Sequence, residues 1–561
     1  MKQFRGIFSN RVVVSVLIGV TFFLAIYGFK VLDVTYDAWI FNGYIEKDII
    51  QHYSGWMIFR DSPWSFPLGL AQNMAYPIGG IITYTDSIPL VSIFFKVFRS
   101  ILPSTFQYFG WYVLTSFVLQ AIASSKLIGV FTKDKWINAF GTALFVLSPV
   151  LIERSFRHTS LSSQYLILFA WYLYFSSRKD GFKKISYFFL ILNVLAISIH
   201  PYFVLMVSGL FGANLLGSLK KNKKIVPILK HLVLNLVALG FVGYVLGVFI
   251  PDVSEQSVGF GTFAMNLNAL INPLSLGVTA WSKFIKQYPQ AWGNYDGFNY
   301  LGFGVLFFYL FMLISEIVRW VDKDKTINLI ETFRGVFSWL INRIEILLVS
   351  LFFFLFAISN VIKYGTHIIV RYELPDFAMK FANIFRASSR LFYPVFYLIF
   401  LTLLVWIIKR YSSRIARVLV LILLIIQIVD ISPVLIEKHR IFYSEKTEFY
   451  NLFTDGDWTF YAQEYDYAML LENDTDYDLA AYIGKSNLVS NIYFLNRGAS
   501  KEVSDGYLEY FQQIKNGIVS NPKMFFITSN QARYDYLSKH IDTTKYEAKD
   551  YGTYKVFLPK K

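Results

Sequence analysis

Asp48-Ile-Ile-Gln51-His52-Tyr-Ser-Gly-Trp56, continued by Pro63-Trp64, Tyr76-Pro77-Ile-Gly-Gly80 and Tyr84-Thr-Asp86-Ser-Ile-Pro89, decides how this chain is read. These motifs fill a loop at residues 33–105, directly after an apolar run at 12–31. About 20 apolar residues suffice to span a bilayer as a helix. Acidic, aromatic and turn-forming residues concentrated in the first loop after such a helix mark where chemistry is expected.

Composition agrees with that first helix. Hydrophobic residues make up 55% of the chain and charged residues 16%, and the mean hydropathy is +0.44. A soluble globular chain carries about 25% charged residues, so the class is a mainly α polytopic membrane protein. Cysteine is absent, which excludes disulfides, thiolate metal sites and a cysteine nucleophile. Phe 56 and Tyr 38 against Trp 12, with many Lys, Ile and Asn, is the usage of an AT-rich bacterial genome.

The net charge of +15 resembles a nucleic-acid signal until it is mapped. Residues 437–561 carry a net charge of −3 and the remainder carries +18. Much of the excess sits in short clusters between apolar runs, such as Lys220/Lys221/Lys223/Lys224 and Lys409/Arg410/Arg414/Arg417. That is the positive-inside pattern of a membrane protein, and no nucleic-acid partner is expected.

Placing each basic cluster in the cytoplasm gives about eleven crossings, with the N-terminus inside and the C-terminal region outside. The run at 12–31 lacks a small-residue cleavage site and reads as a retained helix. Further crossings are expected at 106–131, 136–152, 164–177, 185–199, 203–219, 231–250, 300–318, 345–361, 391–408 and 418–436. The pairs around 136–177 and 185–219 are expected to be short or partly re-entrant. Residues 319–343 read as an amphipathic cytoplasmic surface helix. Two domains follow: a transmembrane module at 1–436, and a small extracytoplasmic α/β domain at 437–561. In the second, 490–495 and 524–528 alternate as strands do, and 551–558 reads as the closing strand.

Asp48 is the leading chemical candidate. It opens what reads as an interfacial helix with Ile50, Trp56 and Phe59 at its apolar positions. A carboxylate held at the membrane surface can serve as general base toward an acceptor hydroxyl. Gln51, His52, Trp56 and Tyr84 are expected to shape the acceptor site around it. Asp86 reads either as a second acid or as the cap of a helix starting near Pro89.

Basic residues fall at the same external edge: Arg157/His158, His200, Lys363/His367 and Arg386/Arg390. Arg is the better bidentate ligand for phosphate. Arg386 and Arg390, spaced i, i+4 on one helical face, therefore read as a phosphate site, with His158 and His200 in support. For His200, followed by Pro201, a helix-end role competes with ligand contact. His52, His158, His200 and His367 lack zinc-ligand spacing. A divalent ion on Asp48 and Asp86 is the one metal arrangement left open. No other cofactor is expected.

The run Asp48-x-x-Gln51-His52-x-x-Gly55-Trp56, with Trp64-x-x-Pro67-Leu-Gly69, Tyr76-Pro77-x-Gly79, Tyr84-Thr-Asp86-Ser-x-Pro89 and Gln107-Tyr-Phe-Gly110, resembles bacterial polytopic membrane proteins of the GT-C glycosyltransferase superfamily. His158-Thr-Ser-Leu161, His200-Pro-Tyr202, Met265-Asn266, Asn272-Pro273, Gly297-Phe-x-Tyr300-Leu-Gly302 and Phe385-Arg386-Ala-Ser-Ser-Arg390-x-Phe-x-Pro394 are similar to later blocks of that family. The resemblance implies a GT-C-like membrane module with its catalytic acid at Asp48. It also implies a polyprenyl-phosphate-linked sugar as donor and a cell-envelope glycan as acceptor. A separate donor-loading glycosyltransferase and a flippase would supply the donor. The expected location is the bacterial cell membrane, with the active site on the external face. The motif departs from the Asp-Glu and Asp-x-Asp forms of other GT-C branches, which leaves the metal requirement open. A lipid-linked glycan flippase and a non-catalytic envelope-assembly scaffold are the competing readings.

Overall fold

The computed structural model describes residues 10–41, 48–222, 225–249, 259–275, 280–321, 343–443, 453, 456–473, 476–492 and 501–560. The protein is mainly helical. Among the described residues, seven helices are long and apolar enough to cross a membrane: Phe109–Gly129, Lys135–Arg154, Phe182–Ile199, Pro201–Lys221, Ile225–Leu246, Ser388–Arg410 and Ser413–Tyr443. Arg11–Tyr27, Phe303–Val318 and Ile344–Ile358 are shorter apolar helices, and Tyr165–Asp180 is a further helix. Each expected segment thus contains helix, but among the described residues seven reach membrane length and composition.

Prolines set two of the boundaries. The expected crossing at 136–152 is divided into Lys135–Val146 and Pro149–Arg154. Pro149 has no N–H to continue the first helix and is suited to start a second one. The pair expected to be short at 185–219 is instead two full helices, Phe182–Ile199 and Pro201–Asn222. His200 stands between them in extended backbone conformation, so its side chain projects from a junction and not from a helix face.

The last membrane-length helix runs beyond the expected boundary at 436, through to Tyr443. There the Tyr443 hydroxyl donates to the Leu24 carbonyl at 2.9 Å, and His439 Nδ1 lies 2.7 Å from the Ala25 carbonyl. First and last helices are thereby tied together. Most of the expected cytoplasmic surface helix at 319–343 lies outside the described residues.

The helix Asp48–Asp61 departs most from expectation. An interfacial helix would bury one face, yet every residue from Ile49 to Arg60 is buried. One side packs on Pro89–Val97 and the short 3-10 helix Ile82–Thr85. Its other side is covered by Tyr477–Lys485, a helix of the C-terminal region. Trp56 donates its indole N–H to the Phe106 carbonyl at 2.9 Å. Buried Arg60 donates to the carbonyls of Pro103 at 2.6 Å and Leu102 at 2.9 Å. A buried guanidinium needs such acceptors, because unpaired it would cost several kcal/mol, roughly.

The C-terminal region is an α/β unit with a four-stranded sheet. Tyr467–Leu470 pairs in parallel with Met524–Thr528, which pairs antiparallel with Lys555–Pro559, and that strand pairs with Tyr546–Asp550 at the edge. The closing strand begins at Lys555, later than expected. Residues 490–492 hydrogen bond to the first loop: Tyr76 N donates to Ser490 O at 3.0 Å, Ala75 N to Ile492 O at 3.1 Å, and Ser490 N to Asn73 O at 3.0 Å. The rest of the expected 490–495 strand lies outside the described residues.

Candidate functional site

Three consecutive residues assemble the site. His158, Thr159 and Ser160 follow the Pro149–Arg154 helix, and each engages a different residue of the first loop. His158 Nε2 lies 3.5 Å from Asp48 Oδ2. The Thr159 hydroxyl lies 3.1 Å from His52 Nδ1. Ser160 donates its hydroxyl to Asp86 Oδ1 at 3.3 Å. A segment of fixed backbone therefore sets the relative positions of Asp48, His52 and Asp86.

Asp86 is the point of convergence. His200 Nε2 approaches its Oδ1 at 3.0 Å, and His52 Nε2 lies 3.7 Å from its Oδ2. His200 Nδ1 accepts the Tyr202 backbone N–H at 3.2 Å. In the neutral ring that acceptor role leaves the proton on Nε2, facing Asp86. Burial pushes the Asp86 carboxyl up, but His200, then His52 and Arg390, outweigh it and hold the group well below the usual carboxylate range. His52 moves in the opposite sense: burial, opposed by Asp86 and aided by His200, lowers it to about 4.

The backbone around Asp86 explains its reach. Asp86 has φ 58° and Ile88 φ 56°, both left-handed. For a β-branched residue such as Ile88 this conformation costs on the order of 1–3 kcal/mol. Ser87 between them is held by donating to the His52 carbonyl at 2.6 Å, while Tyr108 donates to the Ser87 carbonyl. The cap of the Pro89–Val97 helix is Ile88, with no side-chain hydrogen bond. Asp86 is thus not that helix's cap, and its carboxylate turns to the histidines. Gly55 makes the close approach possible: a Cβ there would stand 2.5 Å from Thr85 Cβ and 2.7 Å from Ser87 Oγ.

Beneath these groups is a buried charge network. Arg154 donates from Nη1 to Asp296 Oδ1 and from Nη2 to the Asp296 carbonyl, both at 2.6 Å, and from Nε to the Tyr393 hydroxyl at 2.7 Å. Arg390 holds the same carboxylate, Nε to Oδ2 at 3.2 Å and Nη2 to Oδ2 at 3.1 Å. Two guanidiniums share one carboxylate, which leaves one positive charge in excess close to His158 and Asp86. Burial raises the Asp296 carboxyl, but Arg154 and Arg390 more than offset it and lower the group. Arg154 Nη1 also donates to His158 Nδ1 at 3.1 Å. Arginine only donates, so Nδ1 accepts and neutral His158 presents its N–H to Asp48. Burial, with Arg390 and Arg154 nearby, pushes His158 well below its ordinary value.

Several sequence expectations change in this light. Arg386 and Arg390 do not share a helical face: Asp376–Ile384 ends before them and Ser388–Phe392 is a 3-10 helix. Ala387 between them gives its N–H to the Tyr202 hydroxyl at 2.9 Å. Arg386 lies over the Phe263 ring at 5.6 Å, whereas Arg390 lies over Tyr202 at 5.3 Å. Both ring nitrogens of His158 and of His200 are engaged, so these side chains orient Asp48 and Asp86. Tyr84 donates to the Val248 carbonyl at 2.8 Å. Gln51 and Trp56 are buried scaffold within their helix. Lys363 and His367 lie on the hairpin Val361–Tyr364/His367–Arg371, whose second strand is exposed throughout. Arg157 pairs with Glu153 and with the Ser275 hydroxyl at 3.1 Å. Among the described residues, no three His, Asp or Glu side chains are placed to hold a metal ion, so Asp48 and Asp86 have no third ligand of that kind there.

Arg154 and Asp296 were not legible as site residues. The available signal was Arg154 standing four residues before His158 at the end of an apolar run, where an ionisable residue is functional by default.

A family model described as "Domain of unknown function (DUF6311)" matches residues 16–432, and the chain belongs to that family. No curated protein matches it.

Proposed function

We propose that this DUF6311 protein is an inverting membrane glycosyltransferase, acting at the external face of a bacterial cell membrane in a module of about eleven crossings. The donor is a polyprenyl-phosphate-linked sugar and the acceptor a hydroxyl of a cell-envelope glycan. One observation carries the reading: two carboxylates, Asp48 and Asp86, are set by one tripeptide beside a cluster with excess positive charge.

In this reading Asp48 removes the proton from the acceptor hydroxyl. The oxygen attacks the anomeric carbon, the bond from that carbon to the phosphate oxygen breaks, and the phosphate leaves with the bonding electrons. Asp86 is held so far below the usual carboxylate range that it is a poor base. It serves as fixed negative charge near the positive charge that develops at the anomeric carbon. Asp48, 24% exposed at its side chain, is the carboxylate open to an acceptor. Arg386 and the excess charge of the Arg154–Asp296–Arg390 cluster meet the departing phosphate. His158 and His200 act through the carboxylates they orient. No cofactor enters the chemistry of these residues. A donor-loading enzyme and a flippase, as separate proteins, would supply the substrate.

The test is release of undecaprenyl phosphate from undecaprenyl-phosphate-linked sugars by purified protein with a cell-wall glycan extract, with and without EDTA. Asp48→Asn is expected to lower turnover by about 10²–10⁴-fold, with its melting temperature nearly unchanged. Full turnover by Asp48→Asn would remove the base assignment. Donor binding without turnover in any sample, followed by translocation in liposomes, would replace the enzyme with a flippase. Loss of turnover in EDTA would establish a divalent ion.

A further inference from the structure

The helix Tyr477–Lys485 lies beyond the family-matched residues 16–432, yet it is packed against the helix that carries Asp48. A Cβ on Gly484 would stand 3.1 Å from Met57 Cβ and 3.3 Å from the Ser54 carbonyl; with that end set there, a same-direction pairing is the one that keeps Tyr477 on the Asp48–Asp61 helix, because the opposite one carries it past Asp61. Lys485 fixes that end by pairing with Asp37 at 2.7 Å and lying 4.5 Å from the Phe41 ring centroid. Going back the same number of residues along each helix leads from Gly484 to Tyr477 and from Ser54 and Met57 to the neighbourhood of Asp48. Tyr477 is the first residue of its helix and is partly buried against the main core. Among the described residues its hydroxyl has no hydrogen-bond partner.

The electrostatics agree with this placement. Burial raises the Tyr477 phenol, Asp48 and then Asp86 raise it further, and Arg386 opposes them. The phenol is therefore within reach of the field of all three groups and stays protonated at neutral pH. A phenol without a hydrogen-bond partner among the described residues, in the field of two carboxylates, offers an O–H donor and an apolar ring. Saccharides present hydroxyl acceptors and apolar C–H faces.

We infer that Tyr477 is an acceptor-contact residue: its hydroxyl and ring bind the saccharide whose hydroxyl Asp48 deprotonates, which makes the C-terminal domain part of the site. The inference rests on the glycosyl-transfer reading for its chemistry, but one arm of its test does not require turnover.

In the first arm, full-length protein is given undecaprenyl-phosphate-glucose, with octyl glucoside as soluble acceptor or with water alone. Tyr477→Phe should raise KM for octyl glucoside roughly tenfold, the loss of about one hydrogen bond, with hydrolysis by water unchanged. An unchanged KM, or a parallel fall in hydrolysis, overturns the inference. The second arm uses the absence of cysteine from the chain. Tyr477→Cys is then the only thiol, and its maleimide labelling should be slowed by a cell-envelope glycan extract and not by undecaprenyl phosphate. Protection without turnover keeps the saccharide contact and removes glycosyl transfer. Turnover without protection or KM change removes the contact alone, and absence of both turnover and protection removes both.

Discussion

The floor and the rim of the candidate site hold charge in opposite ways. On the floor, Arg154, Asp296 and Arg390 have side chains only 1%, 6% and 10% exposed, and the Asp296 carboxylate accepts from both guanidiniums. On the rim, Asp48 is 24% exposed beside His158, on a helix covered by Tyr477–Lys485 of the C-terminal region. A charge in a dry interior survives only where partners replace its hydration, so the floor is committed to holding the helices in place. Groups at the rim keep part of their hydration and are free to exchange it for a substrate. The difference separates residues whose removal costs stability from those whose removal costs function.

The largest expected effect is on the floor. Asp296→Asn removes the carboxylate shared by two buried guanidiniums and should lower stability by about 3–5 kcal/mol, read as a fall in melting temperature in detergent. A loss below about 1 kcal/mol would mean that water screens the cluster, and the contrast would fail.

A second effect is tied to His52, which is 1% exposed. Its folded value of about 4 lies below the ordinary histidine value of 6.5. The unfolded chain therefore binds this proton first as pH falls. Stability is unaffected above about pH 6.5 and declines between there and about pH 4, by about 3 kcal/mol in all. Melting temperatures recorded across that window should flatten in His52→Gln relative to wild type. An equal slope in both proteins would assign the acid sensitivity to other groups, His158 foremost.

The smallest effect belongs to the rim. Lys485 is 36% exposed and its pair with Asp37 is partly hydrated, so Lys485→Ala should cost no more than about 1 kcal/mol. A fall of several degrees beyond that, measured in the same melting assay, would show that docking of the C-terminal domain is part of the structural floor.

How much of this was visible beforehand depends on the range of the contacts. The helices were legible because an apolar run is a local property, and so was the break at Pro201, whereas the break at Pro149 fell inside an expected crossing. Asp48, His52 and Asp86 were legible as candidates because polar motifs between apolar runs stand out. The buried state of the Asp48–Asp61 helix was not, since its covering helix lies more than 400 residues along the chain. The shared helical face expected for Arg386 and Arg390 failed for a related reason. An i, i+4 spacing implies a shared face only where the backbone is helical, and the Tyr202 hydroxyl takes the Ala387 N–H that a helix would have used.

The sequence by itself determined the membrane class, the helix positions and the loop that carries the acids, because hydropathy, proline and spacing act over a few residues. Only the tertiary structure decided which acid meets which base. Asp86 with His200, Asp48 with His158 and Asp296 with two arginines are pairings between distant segments. Burial, which no local pattern records, determines whether such charges must be paired at all.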